Sequence, residues 1–366
     1  MSGRRSPSGV DHGVFAGVLV ILLFFTLTTS PAISSGLTDD GIHWGPWITA
    51  TTGNSTIVNW RSEGAVPGAV EYAEDPALLG TERSSLTGHE EPSSFHHILV
   101  TNLSSGTTYF YRIRSGDTSS GSWAFSTYPE TGTFSFVVYG DTRDQLPLYT
   151  QDERHRLVAD KIAGEEGILF VINTGDLVQD GEDPADWDRF FSAAGGLLAN
   201  ATYYPVLGNH EENSSLYYDI FAIPPAYSFT CGDLKAVVLD SNLWASDTLD
   251  NQAVWMDKEF EGWNGWKIVS FHYPIYSSQE EHVHIREDLR EVWEPVLLRN
   301  GVPAVFTGHV HAYEHYQVEG IHHFVLATGG APSYPLSPDK PPGHVMRIED
   351  TLGYAVVTVD PEEDVM

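Results

Sequence analysis

The chain has 366 residues, which is enough for two domains that each bury a hydrophobic core, and a formal net charge of −31 at pH 7. So acidic a protein would be repelled by phosphate backbones and anionic lipids, which argues against binding to nucleic acid or to an anionic membrane surface. Its single cysteine, Cys231, excludes an intrachain disulfide framework, and we expect this thiol to be buried rather than catalytic.

Residues 1–34 have the order of a targeting segment. Arg4 and Arg5 precede an apolar run at 14–27, and small residues follow it. The run is about 14 residues long, whereas a transmembrane helix needs about 20. A cleaved signal peptide and an uncleaved membrane anchor are both compatible with this pattern. Either would make the protein secreted or anchored on the extracytoplasmic face of the membrane.

Residues 40–127 predict an all-β sandwich. Short alternating strands are separated by Gly, Ser and Pro, and residues 103–111 resemble the corner of a fibronectin type III-like domain, where a Tyr hydroxyl bonds to the backbone. Such a domain either binds a carbohydrate or another surface, or packs against one side of a catalytic domain. The predicted strands are 46–51, 55–61, 68–73, 95–100, 108–115 and 121–126.

After a linker at 128–132, residues 133–366 alternate between strands and helices, a pattern that predicts an α/β fold. We expect a double-sheet α/β sandwich with helices on its outer faces. Apolar runs predict buried strands at 134–139, 168–172, 203–207, 268–271 and 304–306. Helices are predicted at 152–163, 184–194, 251–262 and 285–300, and further strands at 235–239, 323–327 and 354–359.

Polar residues that can bind metals follow the five buried strands. In an open α/β sheet the loops at the carboxyl ends of the strands converge on one crevice, so these side chains can meet. A mixture of Asp, Asn and His suits hard or borderline divalent or trivalent metals. A set of this size predicts two metal ions that share a carboxylate. The residues are Asp141, Asp176, Asn209, His272, His309 and His311.

The motifs that contain these residues resemble those of the calcineurin-like metallophosphoesterases, and specifically of the purple acid phosphatases. The resemblance extends from about residue 40 to 330, because the upstream segment is similar to the N-terminal domain of that family. It implies a phosphatase that hydrolyses monoesters of small phosphorylated substrates, with a hydroxide bridging two metal ions (Fe, Mn or Zn) as the nucleophile. The motifs are GDTR at 140–143, GDLVQ at 175–179, GNHE at 208–211, SFHYPIY at 270–276 and GHVHAYEH at 308–315.

The resemblance also implies a role for each ligand position. Asp176 matches the bridging carboxylate of the family. The first metal would be bound in addition by Asp141 and His311. The second metal would be bound in addition by Asn209, His272 and His309.

Outer histidines of the family protonate the leaving group, and two residues here match them. They are His210, next to Asn209, and His282, with His284 as an alternative to His282. Glu211 is expected to orient His210. Tyr313 and His315 are expected to line the pocket.

Two positions near the first metal depart from the family pattern. Gln179 stands where the purple acid phosphatases have a tyrosinate, so we expect no phenolate-to-iron colour. Related phosphoesterases have a His at the position of Arg143, which here would either grip the substrate phosphate bidentately or pair with a carboxylate. Water, His155 or Asp180 would complete the first metal site, although an exposed helix position is the simpler expectation for His155.

Two other classes of function stay open at this point. A phosphodiesterase or nucleotidase could use the same ligands and would differ mainly in the shape of its pocket. A surface adhesion protein could be built on the sandwich and retain the ligands as a relic. The intact ligand set argues against the second alternative.

Overall fold

The computed structural model describes residues 20–25, 41–243, 245–279, 286–363 and 366. The predicted targeting segment therefore lies outside the described residues, except for the backbone of Val20–Phe25, which forms strand β1. Strand β1 pairs antiparallel with the C-terminal strand β18, Leu352–Val359. Among the described residues, no helix is both long enough and apolar enough to span a membrane.

Between residues 41 and 127 the chain forms strands and one 3-10 turn, Pro76–Leu78. The predicted strands 55–61 and 68–73 are joined in a single long strand, whose register against its neighbour shifts between them. The Tyr109 hydroxyl accepts a hydrogen bond from the backbone N–H of Ser104 at 2.9 Å, the contact expected of the corner. The strands are β2 (Ile42–Thr49), β3 (Ser55–Ala73), β4 (Ser85–Thr101), β5 (Thr108–Ser115), β6 (Thr118–Ser119) and β7 (Trp123–Ser126).

The rest of the chain forms two sheets, which confirms the predicted double-sheet α/β architecture. The first sheet contains β8 (Phe134–Tyr139), β9 (Ile168–Asn173) and β10 (Thr202–Pro205), which are parallel, and the antiparallel β18. The second sheet has the order β11-β12-β13-β14-β16-β15-β17. Its strands are β11 (Tyr227–Cys231), β12 (Leu234–Val238), β13 (Trp266–Ser270), β14 (Ala304–Thr307), β15 (Tyr313–Val318), β16 (Ile321–Leu326) and β17 (His344–Ile348).

One core lies between the two sheets and is rich in aromatic residues. Phe136 of the first sheet stacks on Phe170 with 4.6 Å between ring centroids and meets Phe306 of the second sheet edge-on at 6.4 Å. Helices cover the outer face of each sheet and complete two further clusters of buried apolar side chains. The helices are α1 (Gln151–Ala163), α2 (Pro184–Leu198), α3 (Ser215–Phe221), α4 (Ser246–Phe260) and α5 (Glu287–Arg299).

The N-terminal strands continue the first sheet. Strand β10 pairs with β2 in parallel, with Thr202 opposite Ile48, so the N-terminal strands and the α/β part share one hydrogen-bonded sheet. Beside this junction, the ring of Trp44 stacks on Phe191 of α2 at 5.3 Å between centroids. These contacts join the N-terminal strands to one side of the α/β part.

Several elements were not predicted from the sequence, namely α3, β11, β15 and β17. Helix α3 has only seven residues, too few to show a helical period. Strands β15 and β17 lie at one end of the second sheet. Polar residues interrupt the apolar pattern of both strands, so neither was recognisable as a buried strand. Cys231 is buried, as expected.

Candidate metal centre

The loops that follow the parallel strands begin with an unusual backbone turn. Asp141, Asp176 and His309 have φ angles of 56°, 54° and 68°, in the left-handed region that residues with a side chain rarely adopt. Such backbone costs free energy and persists where the surrounding structure enforces it, most often at functional sites. Two neighbouring glycines leave the space that the carboxylates occupy. A Cβ atom at Gly208 would collide with the Asp176 carboxylate, and one at Gly308 with the Asp141 carboxylate.

The turns bring the six predicted ligands into two overlapping groups. One ligand atom each from Asp176, His272 and His309 lie within 4.8 Å of one another, and so do atoms from Asp141, Asp176 and His311. Asn209 joins the first of these groups, because its Oδ1 lies 3.1 Å from Nε2 of His272. Asp176 belongs to both groups and so occupies the position of a bridging ligand.

The histidines present the nitrogen that a metal needs. Nδ1 of His272 donates to the carbonyl of Thr174 at 2.8 Å, and Nδ1 of His311 donates to the carbonyl of Pro332 at 2.7 Å. Because a carbonyl only accepts, each Nδ1 carries a proton, and Nε2 is the nitrogen that faces the site and can bind a metal once it is deprotonated. The residues present therefore fit a pair of metal ions.

The charges of the site are strongly coupled. Burial opposes ionisation of Asp176, but the neighbouring His272, His210 and Arg143 hold the pKa of that carboxyl well below its usual range. Burial also disfavours a charged His272, yet Asp176 and Asp141 outweigh this effect and raise the pKa of His272 to about 9. Burial and the charge of His272 lower the pKa of His309 to about 3.

Glu211 holds the loop of Asp176 in place rather than orienting His210. Its buried carboxylate accepts hydrogen bonds from the backbone N–H groups of Leu177 and Gly208, both at 2.8 Å, and more weakly from Asp176 at 3.2 Å. Burial and the nearby charge of Asp176 raise the pKa of Glu211 to about 8. The expectation that Glu211 binds the ring of His210 is therefore wrong.

His210 is oriented by backbone instead. Its Nδ1 donates to the carbonyl oxygen of Gln179 at 2.7 Å, and its Nε2 lies 3.9 Å from Oδ2 of Asp176. The ring thus turns Nε2 towards the candidate ligands. The other predicted proton donor, His282, and its alternative His284 lie outside the described residues.

The two positions that depart from the family pattern contact each other. Arg143 is buried and donates from one terminal nitrogen to Oε1 of Gln179 at 2.7 Å. Its other terminal nitrogen donates to the hydroxyl of Tyr334 at 3.1 Å, and its Nε lies 3.7 Å from Oδ2 of Asp176. The guanidinium therefore pairs with the candidate bridging carboxylate.

A cavity of about 90 Å³ lies over the ligand groups, and Arg143 and His210 line it together with several ligand residues. Two further residues of the lining were missed from the sequence: Gln279 and Tyr334. The ring of Tyr334 stacks on His311 with 4.2 Å between centroids. Tyr334 lies in a Pro-rich loop without a motif, so spacing offered no signal for it. The lining includes neither Tyr313 nor His315.

The structure does not bring His155 or Asp180 into either ligand group. His155 is fully buried in α1, and its Nε2 lies 3.1 Å from the hydroxyl of Tyr139. The expectation of an exposed helix position was wrong, because His155 shares a helix face with the buried Val158 and Ile162. Asp180 lies in the wall of a neighbouring, larger cavity.

Comparison with known proteins finds families and proteins to which this chain is similar. Residues 134–313 match the calcineurin-like phosphoesterase family, and residues 45–138 match the purple acid phosphatase N-terminal domain. The chain is 25% identical over 331 residues to purple acid phosphatase 22 of Arabidopsis thaliana, covering 80% of this chain and 74% of that protein. It is 28% identical over 248 residues to the Fe(3+)-Zn(2+) purple acid phosphatase 12 of the same plant, covering 60% of this chain and 51% of that protein. The fold is shared with the purple acid phosphatase PPD1 from yellow lupin seeds (TM-score 0.73, 17% identity, 86% of this chain and 69% of that one).

Proposed function

Because residues 134–313 match the calcineurin-like phosphoesterase family and the chain is similar to the purple acid phosphatases, we propose that it is an exported two-metal phosphatase that hydrolyses phosphate monoesters. The observation that carries this proposal is the pair of ligand groups that share Asp176. The proposal includes a signal peptide or anchor at 1–34, the sandwich domain at 40–127 and the catalytic domain at 133–366.

In this proposal the first metal is bound by Asp141, Asp176 and His311, and the second by Asp176, Asn209, His272 and His309. Two metal ions held there would activate water and neutralise charge on the phosphoryl oxygens. Fe, Mn and Zn all suit these oxygen and nitrogen ligands. Gln179 offers no phenolate and already binds Arg143, whose positive charge adds to that of the metals at Asp176. We therefore expect two divalent ions rather than a ferric centre.

His210 is the residue proposed to protonate the leaving group. It lines both the small cavity over the ligands and a second cavity of about 470 Å³, which adjoins the first and also shares Arg143 with it. A group at the junction of the two cavities can contact a phosphoryl group in one and the ester oxygen of a leaving group in the other. Nε2 is the atom that would carry the proton, because Nδ1 is engaged by the carbonyl of Gln179.

The larger cavity indicates which leaving groups the site accepts. Its wall has more negative than positive groups, because four aspartates face Arg143, Arg189 and the ring of His210. Leaving groups with further phosphates or carboxylates would be repelled there. Monoesters of uncharged or cationic alcohols are the substrates that we expect. The aspartates are Asp144, Asp180, Asp183 and Asp186.

The test compares wild-type protein with Asn209→Ala, after loading with Mn²⁺, Zn²⁺ or Fe²⁺. Loss of this ligand should lower turnover of glycerol phosphate by at least about 100-fold and loosen one of the two metals. Asn264→Ala makes the same change in an exposed loop and should leave turnover unaltered. Unchanged turnover in Asn209→Ala would refute the assignment of that ligand.

The same assay separates the alternative functions. A phosphodiesterase or nucleotidase would turn over bis(nitrophenyl) phosphate or AMP with a higher kcat/KM than simple monoesters. An adhesion protein with a relic site would show no turnover with any of the three metals.

A further inference from the structure

Gln279 has a buried side chain without a hydrogen-bond partner in the part of the chain that the structure describes. Its side chain is 3% exposed, and neither amide atom has a hydrogen-bond partner among the residues that the structure describes. A buried amide without partners costs stability, so proteins retain one chiefly where a ligand, ion or water completes its hydrogen bonds. The side chain lines the cavity of about 90 Å³ over the candidate metal ligands. A group that completes the hydrogen bonds of the Gln279 amide would therefore lie in this cavity.

The backbone that carries Gln279 is fixed by a buried carboxylate. Glu314 accepts hydrogen bonds from the hydroxyl of Ser277 at 2.8 Å, from the backbone N–H of Ser278 at 2.9 Å and from the Ser278 hydroxyl. The Ser277 hydroxyl in turn accepts from the backbone N–H of Gln279 at 3.1 Å. The backbone of Gln279 is thus fixed beside the cavity before any ligand arrives, which limits the positions that its side chain can take.

We propose that Gln279 donates its side-chain N–H to a non-bridging oxygen of the substrate phosphoryl group, an inference that rests on the proposed function. Gln279 lines the small cavity with the ligand residues, but it does not line the larger cavity proposed for the leaving group. The chemical class that it recognises is therefore the phosphoryl oxyanion that all substrates share. Its contribution should be independent of the leaving group.

The test is Gln279→Met, which keeps the length of the side chain and removes both polar atoms. Losing a hydrogen bond to a charged oxygen should raise the inhibition constant of inorganic phosphate by about 10- to 100-fold. The kcat/KM should fall by a similar factor for glycerol phosphate and for nitrophenyl phosphate alike. Two metals should remain bound by elemental analysis. Gln317→Met, the same change on the exposed part of β15, should alter none of these values.

A second variant and the melting temperature test the inference independently of the inhibition constant. Gln279→Glu places a carboxylate of the same shape in the cavity and should weaken phosphate binding at least as much as the Met variant. In the phosphate-free protein, Gln279→Met should not lower Tm, because the amide that it removes has no hydrogen-bond partner among the described residues. Its phosphate-dependent rise in Tm should be smaller than that of the wild type.

Three results would overturn the inference. They are an unchanged phosphate inhibition constant in Gln279→Met, loss of a metal from that variant, and wild-type phosphate binding by Gln279→Glu. An inactive wild-type enzyme would instead overturn the proposed function. An active wild type with an unaltered Gln279→Met variant would overturn this inference alone.

Discussion

Metal binding should release a proton from His272 at neutral pH. Nε2 of His272 lies 3.2 Å from Oδ1 of Asp176, and the carboxylates of Asp176 and Asp141 raise the pKa of His272 to about 9 despite its burial. The ring is therefore charged in the metal-free protein at pH 7. Only neutral imidazole binds a metal, so the incoming ion must displace this proton.

The size of the effect follows from the distance between the working pH and this pKa. At pH 7, about two units below the pKa of about 9, displacement of the proton lowers the apparent metal affinity about 100-fold, or about 2.7 kcal/mol. His309 provides an internal control. Burial and the neighbouring His272 keep its pKa at about 3, so His309 is already neutral at pH 7 and contributes no proton.

Calorimetric titration of Zn²⁺ at pH 7, in two buffers with different ionisation enthalpies, counts the protons released. His272→Asn and His309→Asn should both bind the metal more weakly than the wild type. His272→Asn should release about one proton fewer than the wild type, whereas His309→Asn should release the same number. In the wild type the apparent affinity should rise about tenfold per pH unit between pH 7 and 9.

Equal proton release by the two variants would refute the reasoning, and so would a metal affinity that does not change between pH 7 and 9.

The raised pKa of His272 also predicts how the stability of the metal-free protein depends on pH. The pKa of His272 is raised on folding, so its contribution is complete below the unfolded value of about 6.5 and is lost as the pH rises through about 9. The Tm of the metal-free wild type should fall over this range more than that of His272→Asn.

Three further predictions concern proton donation, colour and acid stability. Replacing His210 by Gln should slow alkyl phosphates by about 100- to 10,000-fold and nitrophenyl phosphate less, because an aryl leaving group needs little protonation; equal losses would mean that the ring binds phosphate instead. The wild type should be colourless, active with divalent metals, indifferent to tartrate and unaffected by dithionite, whereas Gln179→Tyr on iron loading should gain a visible charge-transfer band; a purple wild type would show that another Tyr reaches the metal. Burial lowers the pKa of His155 to about 3. Between about pH 6.5 and 3 the unfolded state therefore binds a proton at this residue and the folded state does not, so the free energy of unfolding decreases as the pH falls below about 6.5. His155→Phe should therefore reduce the fall in unfolding free energy between pH 6 and 4 by about 1.4 kcal/mol per pH unit, and an unchanged slope would contradict this.

The sequence by itself determined the architecture and the residues that meet at its centre. Short apolar runs bounded by turn residues predict strands buried on both faces, and the topology of an open α/β sheet brings the loops at their carboxyl ends to one place. Polar residues directly after such runs, as at Asp141 and Asp176, are therefore predictable neighbours. Their meeting depends on regular geometry that is the same in every such sheet.

The burial of His155 was also within reach of the sequence. It precedes Val158 by three positions and Ile162 by seven, which is the spacing of one helix face. The expectation of exposure came from the polarity of His alone. Helical spacing was the stronger signal here.

Only the tertiary structure decided how the ligands are supported and what else reaches the cavity. Glu211 binds the loop of Asp176 through backbone N–H groups. Every residue except proline has such a group, so the sequence does not show which of them a carboxylate will bind. Tyr334 and Gln279 come to the cavity on irregular loops, whose path depends on contacts with distant residues rather than on a periodic pattern. Arg143 and Gln179 are 36 positions apart, and the hydrogen bond between them exists only because the loops after β8 and β9 lie side by side.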